Sequence, residues 1–408
     1  MKADLDHLMA ARDLQAIFIP CTEHTNPVLH YLTGVHASRG IAIKQRGRPV
    51  LLVINPMEMD DALKAGIETY SIYDLGWNDL RKEAAGVNER AEAGLWRNCI
   101  QRFAIPPGKI GVYGAGDLNT YLEFPRLMAA LLPDYTFVGE VGTTLFDEAC
   151  ITKDPSELAQ IKKVAAATNA VWAETWDFIA GHRAEQETVV NADGTPLTIG
   201  AVKRFVRRAL LDRDLEDTGM IFAQGRDGGI PHSRGDDKAP LKLGQAIVFD
   251  LFPRQPGGYY HDSTRTWCIG YAPPEVQAAY DDVLGAFTVA VSAYAEPGQP
   301  VHTMQDAVLD FLESRGHATI RSKPGTQEGL VHDLGHGFGL NIHERPLISH
   351  LQKRDQFQAG NVLTIEPGVY YPERGFGIRL EDAFYIDDSG ALVALTDFHK
   401  QLVIPLRD

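Results

Sequence analysis

The chain has 408 residues, 44 % hydrophobic and 23 % charged, which suits a folded globular protein larger than one hydrophobic core usually organises, so two domains are expected. Its formal net charge of −15 argues against nucleic acid or an anionic membrane as partner, since either requires a basic face. No run approaches the roughly 18 to 20 apolar residues of a membrane-spanning helix, and the opening MKADLDHLMAARD carries no apolar signal segment, so a cytoplasmic protein is expected.

From the N-terminus, QAIFI (15–19), GIAIK (40–44) and PVLLVI (49–54) read as short buried strands among helix-like segments, with QRGR as a turn between the last two. An α/β domain is expected over residues 1–150. The rhythm then changes. In ITKDPSELAQIKK, Asp154 suits an N-cap, Pro155 the first helical position and Glu157 a capping box, while Leu158, Ile161, Ala165, Thr168, Trp172 and Trp176 recur at helical spacing. A long amphipathic helix therefore opens a second domain, residues 151–408. NADGTPLTIG (191–200) and APLKLGQ (239–245) read as surface loops. The four cysteines, Cys21, Cys99, Cys150 and Cys268, are scattered without CxxC spacing and suit reduced, mostly buried thiols.

After residue 240 the pattern turns to strands: QAIVFDLF (245–252), STRTWCIG (263–270), NVLTIEPGVYY (361–371) and FGIRLEDAFYI (376–386). Asp250, Glu366 and Glu381 fall within these apolar runs, and Asp262 stands at the entrance of one. Buried carboxylates need protons, basic partners or metal. Pro256-Gly257-Gly258 suits a reversal that would bring Asp250 and Asp262 together, and YPERG a second one bringing Glu366 near Glu381, with Arg379 on the same face as Glu381. Four carboxylates in one pocket repel, and two divalent cations would neutralise them.

A fifth, nitrogen ligand is available from HDLGHGFGLNIHERP (332–346), which holds three histidines and three glycines. His332 and His336 have i,i+4 spacing, but the glutamate of HExxH is missing and the glycines disfavour a helix. GHGFG also fits neither common phosphate-loop pattern. The glycines are expected to let the chain pass close to the metals. One histidine with four carboxylates is a hard ligand set suited to manganese, cobalt, iron or zinc. Tyr370 and Tyr371 are candidates for the cleft wall, with core packing as the alternative.

The ordered set Asp250, Asp262, His336 in GHGFGLNIHERP, Glu366 in TIEPG and Glu381 in GIRLED resembles metallopeptidase family M24 over roughly residues 150–408. This is the pita-bread fold shared by methionine aminopeptidase, aminopeptidase P and prolidase. The N-terminal half is more diffusely similar to the accessory domain of the prolidase, aminopeptidase P and creatinase branch. The resemblance implies an α/β N-terminal domain plus an α+β pita-bread catalytic domain.

It further implies two divalent metal ions, manganese first, with cobalt, zinc or iron as alternatives. Asp250 would bind one metal, His336 and Glu366 the other, and Asp262 and Glu381 would bridge them. Glu366 would also move a proton to the leaving nitrogen. By the same resemblance, His232 in IPHSRGD and His343 in IHERP would hydrogen-bond substrate and stabilise the tetrahedral intermediate. His332 would line the pocket, and Arg379 would position substrate or support a ligand. The implied reaction is hydrolysis of Xaa-Pro bonds in dipeptides or short proline-containing peptides by a metal-bridging hydroxide, in a homodimer. The alternatives are a pita-bread hydrolase or lyase acting on a small non-peptide metabolite, and a non-catalytic binding protein.

Overall fold

β1 (Leu14–Cys21) lies inside the first sheet, and both alternating sets of its side chains are buried, Ala16 and Phe18 on one face and Ile17 and Ile19 on the other. The structure, a computed structural model, describes residues 4–22 and 25–406 and divides into the units Met1–Ala149 and Cys150–Asp408. In the first unit β2 (Gly40–Gln45), β3 (Val50–Ile54), β4 (Glu68–Ser71), β5 (Gly108–Val112) and β6 (Tyr135–Val138) join β1 in the order β4-β3-β2-β1-β5-β6. The three strands expected from QAIFI, GIAIK and PVLLVI all form, and Gly47 takes φ +75° in the turn between the last two. Trp96 of the helix Asn88–Arg102 packs edge-on against Phe18, with ring centroids 5.2 Å apart. The continuous burial of β1 follows from cover on both faces.

The second unit opens on the helix Pro155–Ala180. The Asp154 side chain accepts from the Ser156 and Glu157 amides, and the Glu157 side chain accepts from the Asp154 amide. Of the expected apolar stripe, Ile161, Ala165, Thr168 and Trp172 are buried, while Leu158 and Trp176 are half-buried. After a small hairpin of β7 (Arg183–Glu185) and β8 (Thr188–Val190) come β9 (Ile221–Gln224), β10 (Ala246–Leu251) and β11 (Ser263–Ile269). The indole of Trp172 donates to the Ser263 hydroxyl at 2.9 Å and packs on Phe249 and Trp267. The helix thereby seats the hairpin that carries both aspartates.

A five-stranded sheet runs β13-β12-β14-β17-β18, from β12 (Gly335–Gly337), β13 (Glu344–Ile348), β14 (Val362–Ile365), β17 (Asp382–Ile386) and β18 (Leu392–Ala394). Between β14 and β17 in sequence, β15 (Gly368–Tyr371) and β16 (Phe376–Arg379) form a separate two-stranded ribbon. The last strand, β19 (Val403–Ile404), completes a four-stranded sheet in the order β19-β11-β10-β9. The helices Pro274–Ala293 and His302–Ser314 bury their apolar faces with β14 to β17 in one core. Pro155–Ala180 and Ile199–Leu211 bury theirs with β9 to β11 in another. Among the described residues no helix is long and apolar enough to cross a membrane.

Two expectations need correction. The runs 361–371 and 376–386 are not single strands, for each breaks at its glutamate. Pro367 has no amide hydrogen for a ladder. The Glu366 amide turns to Leu334 O, the Leu380 amide to Pro367 O and the Glu381 amide to Thr264 O. The chain changes sheet at both breaks. Nor are 191–200 and 239–245 plain surface loops, since Leu197 and Leu241 are 1 % and 0 % exposed and the Leu241 amide bonds Leu197 O at 2.8 Å. Their paired leucines close the core beneath the helix Ile199–Leu211.

Removing the cap of the long helix should be measurable. Asp154→Ala leaves the Ser156 and Glu157 amides without their acceptor and is expected to cost about 1 kcal/mol, up to roughly 2. Urea unfolding should show the midpoint of the second unit lowered at unchanged slope; an unmoved midpoint would refute the role of the cap.

Candidate metal centre

Antiparallel pairing of β10 with β11 sets Asp250 opposite Thr264 and Leu251 opposite Ser263. The returning chain reverses at Gly257, φ +67°, and brings Asp262 to the mouth of β11. Glu366 occupies the break between β14 and β15, and Glu381 the break between β16 and β17. Thr264 grips the latter twice, its carbonyl accepting from the Glu381 amide at 3.0 Å and its hydroxyl donating to Oε2 at 2.7 Å. His336 is the middle residue of β12, and its amide donates to the Thr364 hydroxyl at 3.2 Å.

The glycines beside His336 are required by their neighbours in the sheet. Neither has a left-handed backbone, but a Cβ on Gly335 would lie 2.1 Å from Thr364 O, and one on Gly337 would lie 2.1 Å from Arg345 O. They admit the flanking backbones of β14 and β13.

All nine residues singled out from the sequence line one cavity of about 250 Å³: Asp250, Asp262, His336, Glu366, Glu381, His232, His332, His343 and Arg379. Ligand atoms of Asp262, His336 and Glu381 all lie within 4.8 Å of one another. His336 Nε2 is 3.4 Å from Glu366 Oε1 and 3.7 Å from Asp262 Oδ2. Its Nδ1 lies 3.0 Å from Gly337 O, and a proton donated there leaves the Nε2 lone pair facing the carboxylates. Asp250 Oδ1 and Asp262 Oδ1 are buried without a hydrogen-bond partner.

The electrostatics show the same shortfall. Burial pushes Asp262 well above the ordinary carboxylate range, and Asp250 and Glu366 add to it. Burial raises Glu381 likewise, with Asp262, Glu366 and Asp250 contributing. Glu366 is pushed up to about 8 by burial, against the pull of Arg379. His336 is driven down to about 3 by burial and by His343, so its imidazole is neutral near pH 7. Carboxylates that cannot all ionise on their own, orphan oxygens among them, and a neutral imidazole aimed at them are the donor set of a divalent cation site.

Arg379 lies among them as an organiser. Its Nη2 donates to Asp250 Oδ2 at 2.5 Å, Nε to the Thr264 hydroxyl at 3.1 Å and Nη1 to the Tyr370 hydroxyl at 2.9 Å. His332 Nε2 is 2.9 Å from that same hydroxyl, and its Nδ1 is 2.6 Å from Asp333 O. With Nδ1 protonated, the tyrosine accepts from Arg379 and donates to His332. Tyr370 is fully buried and lines no part of the cavity; it links two residues that do. Tyr371 points the other way, its hydroxyl 2.5 Å from His317 Nδ1, and is no cleft wall. At the open rim, the His343 ring sits edge-on to His336 at 4.4 Å, and burial together with His232 holds its pKa below the usual histidine value.

Sequence reasoning missed Thr264, the Tyr370 link and the apolar walls Ile221, Phe252 and Ile342. Thr264 was findable, because period two along β11 puts it on the face of Asp262. The walls carry no chemical signature.

Comparison with known proteins agrees with this geometry. The profile of Metallopeptidase family M24 matches residues 159–388. A putative dipeptidase, YkvY, of Bacillus subtilis is 39 % identical over 191 residues, covering 46 % of this chain and 48 % of that protein. A Xaa-Pro dipeptidase of Pyrococcus furiosus is 34 % identical over 254 residues, 62 % of this chain and 65 % of that protein. The chain thus matches about half to about two-thirds of the length of these curated relatives. The solved structure of an X-Pro aminopeptidase from Thermotoga maritima superposes with a TM-score of 0.75 at 21 % identity over 99 % of both chains. That likeness shows the fold, an α/β N-terminal domain followed by a pita-bread domain. With the family profile spanning more than half of its residues and the cavity built as described, this chain belongs to metallopeptidase family M24.

Proposed function

We propose that the protein hydrolyses the Xaa-Pro bond of dipeptides or short peptides, using two divalent cations held by Asp250, Asp262, His336, Glu366 and Glu381. The observation that carries the proposal is the convergence of these five side chains on one cavity in which two buried carboxylate oxygens lack partners. In this reading residues 151–408 form the catalytic domain and 1–150 the accessory one. Asp250 would help to hold one cation, His336 and Glu366 the other, and Asp262 and Glu381 both. Manganese suits a set of four carboxylates and one imidazole, with cobalt, zinc and iron as substitutes. Cations bound there would acidify a water near neutral pH and polarise the scissile carbonyl.

The remaining roles belong to side chains in place. Glu366 carries a proton towards the leaving nitrogen, a task for a carboxyl that faces into the cavity. That nitrogen is an imide and has no hydrogen of its own, so recognition falls to groups around it. Ile221, Phe252 and Ile342 provide apolar walls for a pyrrolidine ring. His232 and His343 at the rim donate to substrate and to the oxygen that gathers charge. His332 and Arg379, tied through Tyr370, fix the far wall. A cytoplasmic homodimer with no nucleic-acid partner completes the proposal, supported by the family resemblance and by the net charge of −15.

Three outcomes test this. Protein loaded with Mn²⁺ should cleave Xaa-Pro dipeptides or Xaa-Pro-Yaa tripeptides but not matched Xaa-Ala controls, and a chelator should abolish turnover. Cleavage of no proline peptide by metal-loaded protein would turn the assignment towards a small non-peptide substrate. Glu366→Gln and His343→Ala should each lower kcat by about 10²- to 10⁴-fold with circular dichroism unchanged, and near-normal rates in both would refute their roles.

Metal uptake should also depend on pH. In the metal-free protein Glu366, with its pKa about 8, and the raised Asp262 and Glu381 hold protons at neutrality that a cation must displace. Affinity for Mn²⁺ should therefore rise from roughly pH 6 to 8. Calorimetry in two buffers of different ionisation enthalpy should read proton release; an affinity flat in pH with no release would contradict the protonated resting state.

A further inference from the structure

The ligands of the centre ride on strands or strand junctions, but His343 sits at the edge of β13, at the end of the connection from β12, where the register is irregular. His336 pairs with Leu347 and Gly337 with Glu344, so Arg345 and Pro346 bulge from the ladder. Something other than the ladder must hold the connection.

Beside a backbone bond from the Tyr260 amide to Gly339 O at 2.8 Å and the pairing of Arg345 with Asp355, one buried ion pair reaches it next to His343. Lys153 Nζ is 2.7 Å from Glu344 Oε2, with the two side chains only 2 % and 7 % exposed, and Nζ also donates to Cys150 O. The second oxygen of Glu344 accepts from the Asn341 amide at 2.9 Å. Glu344 directly follows His343. Gly339 belongs to the same arrangement, since its Cβ would lie 2.7 Å from both Glu344 Oε2 and Lys153 Cε. The lysine is itself fixed, its amide donating to Gly360 O at 2.8 Å, while Asn361 Nδ2 donates to Ile151 O at 2.8 Å at the foot of β14.

A buried ion pair is weak evidence for stability, because desolvation of both charges offsets most of their attraction and an apolar pair would pack as well. Here neither charge lines the cavity. What the pair does provide is a fixed distance between the start of the long helix and the residue beside His343. We propose that Lys153 is a positioning residue that, through Glu344, holds segment 339–345 and so sets the place of the His343 imidazole; its catalytic consequence rests on the peptidase reading above.

The test compares wild type, Lys153→Met and the milder Glu344→Gln, which keeps an acceptor for Nζ, as full-length Mn²⁺-loaded proteins. Hydrogen–deuterium exchange over 339–345 should be faster in both variants. With a Xaa-Pro dipeptide, kcat should fall about 10- to 100-fold while bound manganese stays near wild type. A merely structural role would lower kcat equally in any background. Placed on His343→Ala, Lys153→Met should instead change kcat by less than about threefold, because the residue it positions is gone. Losses that multiply across the two backgrounds, or unaltered exchange over 339–345 in both variants, would overturn the proposal. Should Lys153→Met fail to fold, Glu344→Gln decides by the same readouts. A wild type that turns over no proline peptide would sink the peptidase reading instead, leaving the exchange data to judge the tether.

Discussion

Everything in the second unit answers to one electrostatic constraint: four largely buried carboxylates are brought by backbone geometry into one cavity. Asp250 and Asp262 come from one hairpin, and Glu366 and Glu381 from the two points where the chain changes sheet. Their mutual repulsion cannot be relaxed by swinging side chains outward, because Asp262 and Glu381 are buried and Glu381 is held by Thr264 through both backbone and hydroxyl. Neutralisation has to be brought in. Arg379 supplies one fixed positive charge against Asp250, and the orphan oxygens of Asp250 and Asp262 show where it stops short. Two divalent cations added to that arginine would balance the five carboxylates that line the cavity, Asp333 at its exposed edge included.

Arg379 explains why the far wall is built as it is. A guanidinium buried this deeply needs its donors satisfied, and it spends them on Asp250, Thr264, Tyr370 and the Pro231 carbonyl. Tyr370 then has one proton left to give, and His332 is there to take it. The same contacts that satisfy a buried cation thus fix the tautomer and the ring of a cavity-lining histidine. His332 itself is pushed down to about 4 by burial, with Arg379 contributing, so it stays a neutral acceptor.

The convergence of the four carboxylates on one cavity was legible in the sequence because a carboxylate inside an apolar run is costly enough to demand an explanation, and turn residues showed how such runs fold back. Capping at Asp154 was legible for a similar reason, since its signals are local. The breaks in 361–371 and 376–386 were not, because an apolar run looks the same whether a strand continues or passes into another sheet; Pro367 was the one mark of it. The approach of neighbouring backbones at Gly335 and Gly337 was not legible, because composition does not say which chain will pass a glycine. Tyr370 and Tyr371 are adjacent on one strand and must face opposite ways. Period two says that only one can serve the site, but which one is decided by Arg379 across the ribbon, a contact between segments.

The structure also separates two ways of holding a functional group. His336 is held by its strand, clasped on both sides by backbone that approaches too closely for any residue but glycine at 335 and 337, with the Thr364 hydroxyl accepting from its amide. Asp250 is fixed by the ladders of β9 and β11. His343 has no such clasp beyond the bulge in β13, and it is there that the chain keeps a buried lysine and glutamate 191 residues apart in sequence. Nothing local in the sequence announces that pair. It sits where the ladder of β12 and β13 is irregular, beside a histidine at the cavity rim, and a charged pair fixes direction as well as distance.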